Sequence, residues 1–304
     1  MNEKFQIVGI DGGNHEVKMY GEYGPLRFPS GVGEYHERNL VQKHGNFDIE
    51  YEFRGKRGFA GTLALAESKF NINLGGDTKA HEDHLLRVLL GLFLYSDDTV
   101  FKIVVGQPIS RHEEKEKQKI KDILKGKHDI TINSTQKTIT ILDVGVAAEG
   151  GTAYFSAPKP GLIRILDFGR STVNLATLKD GQYMNAESYT IKRGMSNRWI
   201  AGDSDTMAKT VAIDAFNSDW GSDDAVYVIG GASNVMARAL RKYFNNVLEL
   251  TPRVSQNETV TWRHLGLLSE SDVVRNNRLQ IVGLAPVYAN AVGNYRIAKA
   301  GAMG

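Results

Sequence analysis

The chain makes nearly the same statement twice. "VGIDGGNHEVKMY" (residues 8–20) and "RILDFGRSTVNLA" (164–176) each run an apolar strand into Asp-x-Gly, turn on small and polar residues, and leave as a second strand. One copy is a hairpin, since Asp and Gly supply the positive φ angles of tight turns, or a phosphate clamp, since small residues let backbone N–H groups approach an anion. Two copies about half a chain apart, each heading its own α/β run, imply a duplicated fold with a cleft between its halves. Each acid then stands at the C-terminal end of a strand, where α/β sheets bind ligands.

The rest of the pattern fits two such halves within 304 residues. In the first, "TKAHEDHLLRVLLGLFLYS" (78–96) predicts a buried helix and "VFKIVVGQP" (100–108) a strand buried on both faces. "SRHEEKEKQKIKDILKGK" (110–127) predicts a charged helix with Ile120, Ile123 and Leu124 inward. Its charge run fits a solvated face laced with i,i+4 pairs better than a partner site. "HDITIN…KTITILDVGV" (128–146) gives two strands, and "AAEGGTAYF" (147–155) a turn into a helix. In the second half, "KDGQ" closes a hairpin, 196–216 predicts a helix with Met207, Val211, Ala212 and Phe216 inward, and "DDAVYVIGGASNVMARALRKYF" (223–244) a strand, a Gly-Gly turn and a helix. The segment 277–299 predicts a helix interrupted at Pro286.

Composition excludes several classes. A formal net charge of +2 gives no global attraction to nucleic acid, and the apolar run "HLLRVLLGLFLY" (84–95) is too short to span a bilayer and contains Arg87. With no cysteine there are no disulfides or thiolate metal sites, and the start "MNEKFQIVGI" has no signal-peptide layout. A cytoplasmic setting is the expectation, with no membrane partner.

Two carboxylates beside a polyphosphate repel it unless they hold a hydrated Mg²⁺ between them. Asp11 and Asp167 suit that role, with Asn14, Ser171 and Thr172 offering polar side chains to phosphate oxygens. Lys18 either neutralises phosphate charge or is an exposed strand lysine. Gly230 and Gly231, alone, mark only a tight strand-to-helix turn.

In order, strand–D-x-G, strand–D-x-G-x-[ST] and strand–G-G-[AG]-S resemble the phosphate-1, phosphate-2 and adenosine motifs of the actin, sugar-kinase and heat-shock-chaperone ATPase superfamily. "IVGIDGGNHEVK", "IVVGQPI" with its charged helix, "EGGTAYF" and the Asn290-Ala291-x-Gly293 pattern are most similar to the plasmid-segregation actins of bacteria, the ParM-like proteins. The resemblance implies an α/β fold of two lobes around a nucleotide cleft: residues 1–160, residues 161–285, and a C-terminal helix (286–304) returning to the first lobe. It implies that Asp11 and Asp167 hold the water shell of Mg²⁺, and that Gly12, Gly13, Asn14, Gly169, Ser171 and Thr172 cradle the β- and γ-phosphates of ATP or GTP. Gly230, Gly231, Ala232 and Ser233 border the adenosine, and Gly194 and Asn197 contact the nucleotide from the second lobe. Glu149 orients the attacking water; its other reading is a helix N-terminal acid favoured by the dipole.

Two departures from the family pattern stand out. Arg170 replaces a small residue in the second turn, where it either reaches a phosphate or points to solvent. Little chain separates Ile191 from Val226, so the small subdomain over the nucleotide (IIB) is expected to be missing or vestigial. The implied function is an ATPase that polymerises into filaments and segregates plasmid or other DNA. Its contact with DNA would pass through a DNA-binding adaptor on a centromere-like site, without direct nucleic-acid binding. The alternative is a small-molecule or sugar kinase of the same superfamily, against which the short second lobe argues.

Overall fold

The computed structural model describes residues 4–69, 78–195, 203–254, 270–275 and 281–301. Its first sheet holds β1 (Gln6–Gly12), β2 (Glu16–Gly21), β3 (Gly24–Pro29), β4 (Val32–Glu34), β5 (Asp48–Phe53), β6 (Lys56–Ala60), β7 (Val100–Gln107), β8 (Gly126–Ile132) and β9 (Thr135–Ala148), in the spatial order β3-β2-β1-β7-β9-β8-β5-β6-β4. The second holds β10 (Leu162–Phe168), β11 (Val173–Lys179), β12 (Gln182–Tyr183), β14 (Ala225–Ile229) and β15 (Asn246–Glu249) in the order β12-β11-β10-β14-β15, with β13 (Tyr189–Ile191) also on β11. Both sheets follow one plan. An antiparallel meander, β1-β2-β3 or β10-β11-β12, is joined through its first strand to two parallel strands, β7 and β9 or β14 and β15. The repeat read in the sequence is a repeat of topology.

Helices α1 (Gly61–Glu67), α2 (Glu82–Tyr95) and α3 (Glu114–Leu124) belong to the first lobe, α4 (Ser204–Phe216) and α5 (Ser233–Leu240) to the second. α2 buries nearly all round, with Glu82 and Asp83 in its first turn complementing the helix dipole. α3 buries Ile120 and Leu124 and leaves its charges in water. The Asp180-Gly181 turn has φ of 50° and 83°, as the two-residue hairpin requires.

Strand alternation places a different neighbour on each face of β1. Val8 and Ile10 enter the core shared with α2, while Ile7 packs in the cluster beneath α6 (Ala289–Lys299). Gly9 faces α6 too, and a β-carbon there would lie 2.2 Å from the Ala291 carbonyl oxygen. Asn294 Nδ2 donates to the Ile10 carbonyl at 2.9 Å, and a β-carbon on Gly293 would lie 1.9 Å from the Thr152 carbonyl. The last helix therefore lies directly on the first strand.

Three element expectations need correction. Residues 281–284 form β17, paired with β16 (Val273–Arg275), and α6 begins only at Ala289 after a 3₁₀ turn at Pro286–Tyr288. Pro286 holds Ala285 extended (φ −57°, ψ 148°), and Leu284 and Ala285 donate to the Pro252 and Asp272 carbonyls instead of to a helix. "EGGTAYF" leads into a 3₁₀ turn, Thr152–Ser156, rather than an α-helix. Phe216 is 39% exposed at the end of α4, its ring against Phe244, whereas Met207, Val211 and Ala212 are buried. Among the described residues between Ile191 and Ala225, α4 is the one helix.

Candidate functional site

The ladder places Asp11 opposite Lys18, so both side chains leave the same face of the hairpin, with Lys18 Nζ 3.5 Å from Asp11 Oδ2. Burial alone would lower the lysine pKa, but Asp11, Glu16 and Asp167 outweigh it and hold the pKa above its ordinary value. Lys18 is thus a fixed positive charge in the cleft and not a surface strand lysine. The turn is tight: a β-carbon on Gly13 would lie 2.9 Å from the Glu16 carbonyl, and one on Gly12 would lie 2.6 Å from the ring of His84. Asn14 Oδ1 accepts from buried Arg87 Nη1 (3.2 Å), which directs the amide's NH₂ end away from the core.

In the second hairpin Asp167 is paired with Asn174. Asn290, from α6, donates Nδ2 to Asp167 Oδ2 (2.8 Å) and accepts from the Gly150 N–H (3.0 Å), so the last helix holds the acid and the opposite loop together. The Gly169 N–H closes the turn onto the Thr172 carbonyl at 2.9 Å, which commits it within the hairpin. Gly194 packs behind the turn, where a β-carbon would lie 2.3 Å from the Arg170 carbonyl. It buttresses the hairpin and does not line the cleft; Asn197 lies outside the described residues.

Glu149 follows β9 and faces both hairpins. Its Oε1 is 3.4 Å from Lys79 Nζ, and its Oε2 accepts from Asn174 Nδ2 at 3.3 Å. Lys79 also donates to the Gly12 carbonyl (2.6 Å), while its backbone N–H donates to Gln107 Oε1. Burial, and then the nearby Asp11 charge, push the Glu149 carboxyl above the usual range. Burial, Asp11 and Glu149 push Asp167 up to about 7. Two buried carboxyls held up in this way beside a third, Asp11, are short of positive charge. Hard oxygen donors in that state fit a hydrated Mg²⁺, with Asp11 and Asp167 as the residues to hold it.

The cavity between the hairpins has a volume of about 720 Å³, within the range of ligand sites. Asp11, Gly13, Asn14, Lys18, Glu149, Asp167, Gly169, Arg170, Ser171, Thr172, Gly230, Gly231 and Ala232 all line it. Gly230 (φ +96°) is required by the turn, because a β-carbon would lie 2.4 Å from the Phe168 carbonyl. Ser233 is turned away, its hydroxyl donating to Glu249 Oε1 at 2.6 Å. Gly12 stands behind the lining and contributes through its carbonyl. Arg170 spans the mouth to His15. Sequence reasoning missed Lys79, which precedes a helix with no local pattern to mark it, and Arg87, which looked only like an interruption of an apolar run.

Residues 9–151 match the family model "Actin like proteins N terminal domain". Among solved structures, an AlfA filament bound to AMPPNP is similar at a TM-score of 0.63 and 19% identity, over 80% of this chain and 89% of that one. A 15-stranded ParM filament from Clostridium botulinum gives 0.71 and 18%, over 98% and 100%. An archaeal actin homologue in complex with ADP gives 0.70 and 15%, over 97% and 99%. No curated protein sequence matches the chain. The duplicated topology, the two hairpins and these likenesses agree: the chain has the actin-like fold, and its residues 9–151 match the model of the N-terminal domain of actin-like proteins.

Proposed function

We propose that the cleft binds ATP, or GTP, with Mg²⁺, that nucleotide-bound copies join into filaments, and that hydrolysis times their disassembly. The observation that carries this reading is the group of buried Asp11, Asp167, Glu149 and Lys79 with half-buried Lys18, between two hairpin turns at strand ends. Asp11 and Asp167 hold the Mg²⁺ water shell, and the metal supplies charge neutralisation on the phosphates. Asn14, Ser171 and Thr172 meet the phosphate oxygens, and Gly230, Gly231 and Ala232 border the nucleoside. Glu149, kept in place by Lys79 and Asn174, orients a water in line with the terminal phosphorus and accepts its proton as the bond to the leaving diphosphate breaks. Its raised pKa makes it a better proton acceptor than an ordinary carboxylate.

The AlfA and ParM relatives are filaments, which supports head-to-tail self-association here; contacts of that kind that do not close give polymers. A net charge of +2 favours DNA contact through an adaptor on a centromere-like site over direct binding. No described helix is long and apolar enough to cross a membrane. The test is 90° light scattering after Mg²⁺-ATP is added. A rise that decays in the wild type and persists in Glu149→Ala supports the reading; no rise at any workable concentration defeats filament formation.

A further inference from the structure

The two hairpin turns meet at one point across the cleft mouth. Arg170 Nη1, from the second lobe, lies 2.8 Å from His15 Nδ1, from the first, across 155 residues of sequence. A guanidinium only donates, so Nδ1 accepts and the imidazole is neutral with its proton on Nε2. The surroundings favour that form. Partial burial, then Arg170 and more weakly Lys18, lower the His15 pKa, and Glu16 opposes them. The Arg170 backbone is fixed from behind, because its carbonyl packs against Gly194.

We infer that Arg170 is the residue by which the cleft tells a nucleoside triphosphate from a diphosphate, and that His15 is the positioning residue that holds its guanidinium across the two turns. This rests on the nucleotide reading of the cleft. In that reading the nucleoside lies by Gly230–Ala232 and the phosphate chain runs to the hairpins, so that its terminal phosphate lies beside Glu149. A diphosphate reaches the turns with its second phosphate but lacks the terminal group that lies between them. A guanidinium can take a phosphate with two parallel N–H···O bonds and still donate from Nη1 to an imidazole nitrogen, since it carries five N–H groups. The triphosphate therefore binds the guanidinium through its other N–H groups while His15 keeps hold of Nη1, and the diphosphate leaves the Arg170–His15 contact as it is. One arginine then links both lobes to the third phosphate.

The experiment displaces a fluorescent nucleotide with Mg²⁺-AMPPNP and with Mg²⁺-ADP, below the concentration at which the protein assembles. Arg170→Ala is expected to weaken AMPPNP about 10- to 100-fold and ADP less than about twofold, as for loss of a charge-assisted contact. His15→Ala loses part of the same ratio, and His15→Gln, whose side-chain oxygen still accepts, restores it. Both side chains are exposed at the mouth, so unchanged melting checks the fold. Equal losses for the two nucleotides, or no loss, overturn the assignment and leave the pair a brace between lobes. A wild type that binds neither nucleotide overturns the reading of the cleft itself, and this proposal with it.

Discussion

Asp167 is a residue whose place in the fold works against its own ionisation. Buried beside Asp11 and Glu149, with its pKa pushed up to about 7, it is costly to ionise unless a cation joins it. For a carboxyl whose folded pKa is raised, stability is fully present below the unfolded value near 4 and is lost as pH rises through about 7. Asp167→Asn is therefore expected to raise the ligand-free melting temperature at pH 8 by roughly 2–5 °C. The same change should weaken Mg²⁺-nucleotide binding at least about tenfold. Calorimetry and titration of one preparation read both, and a variant that melts lower without ligand would contradict the burial argument. Asp11 and Asp167 were legible because an acid beside glycines at a strand end is a pattern, and Glu149 only through the family resemblance of the segment around it. Lys79 and Arg87 were not, because what matters in them is burial against residues far away in sequence.

At the scale of elements, α6 is the piece on which the site depends most. Asn290 holds Asp167 and Gly150, Asn294 holds β1, and Gly9 and Gly293 exist to let backbones touch. Gly9→Ala and Gly293→Ala should each cost about 2–3 kcal/mol in denaturant unfolding, because the added carbon meets main chain that cannot swing aside. Asn290→Ala should keep the fold yet slow hydrolysis at least about tenfold in a phosphate-release assay, since it frees the Gly150 N–H and the Asp167 carboxylate together. The strands and most helices followed from periodicity. β17 did not: its apolar residues fit either period, and the choice was made by Pro286 and by the carbonyls of Pro252 and Asp272, which no local window contains.

For the whole molecule, acid and base act on different parts. His15, His81, His84 and His112 all have lowered pKa values, His84 well below 6.5 because burial and then Lys79, His81 and Arg87 oppose its charge. An unfolded chain takes up those protons near pH 6.5 and the fold resists them. Stability is therefore present above 6.5 and is lost as pH falls through the folded values. Thermal melts between pH 8 and 5 should show this loss, and His84→Leu should flatten it; an unchanged slope would assign the loss elsewhere. Mg²⁺-ATP should stabilise most above pH 7, where Asp167 is ionised, and least near pH 5.5.

The seat of the last helix on the first strand also has a consequence in time. Asn294 and Ile10 are 284 residues apart, so at ordinary translation speeds β1 waits on the order of tens of seconds on the ribosome for the helix that covers it. Until then Asn290 is not in place beside Asp167, and a nascent chain cannot present a finished cleft. Closing the cleft is thereby a late step of folding, because the side chain that braces Asp167 comes from the helix that covers β1.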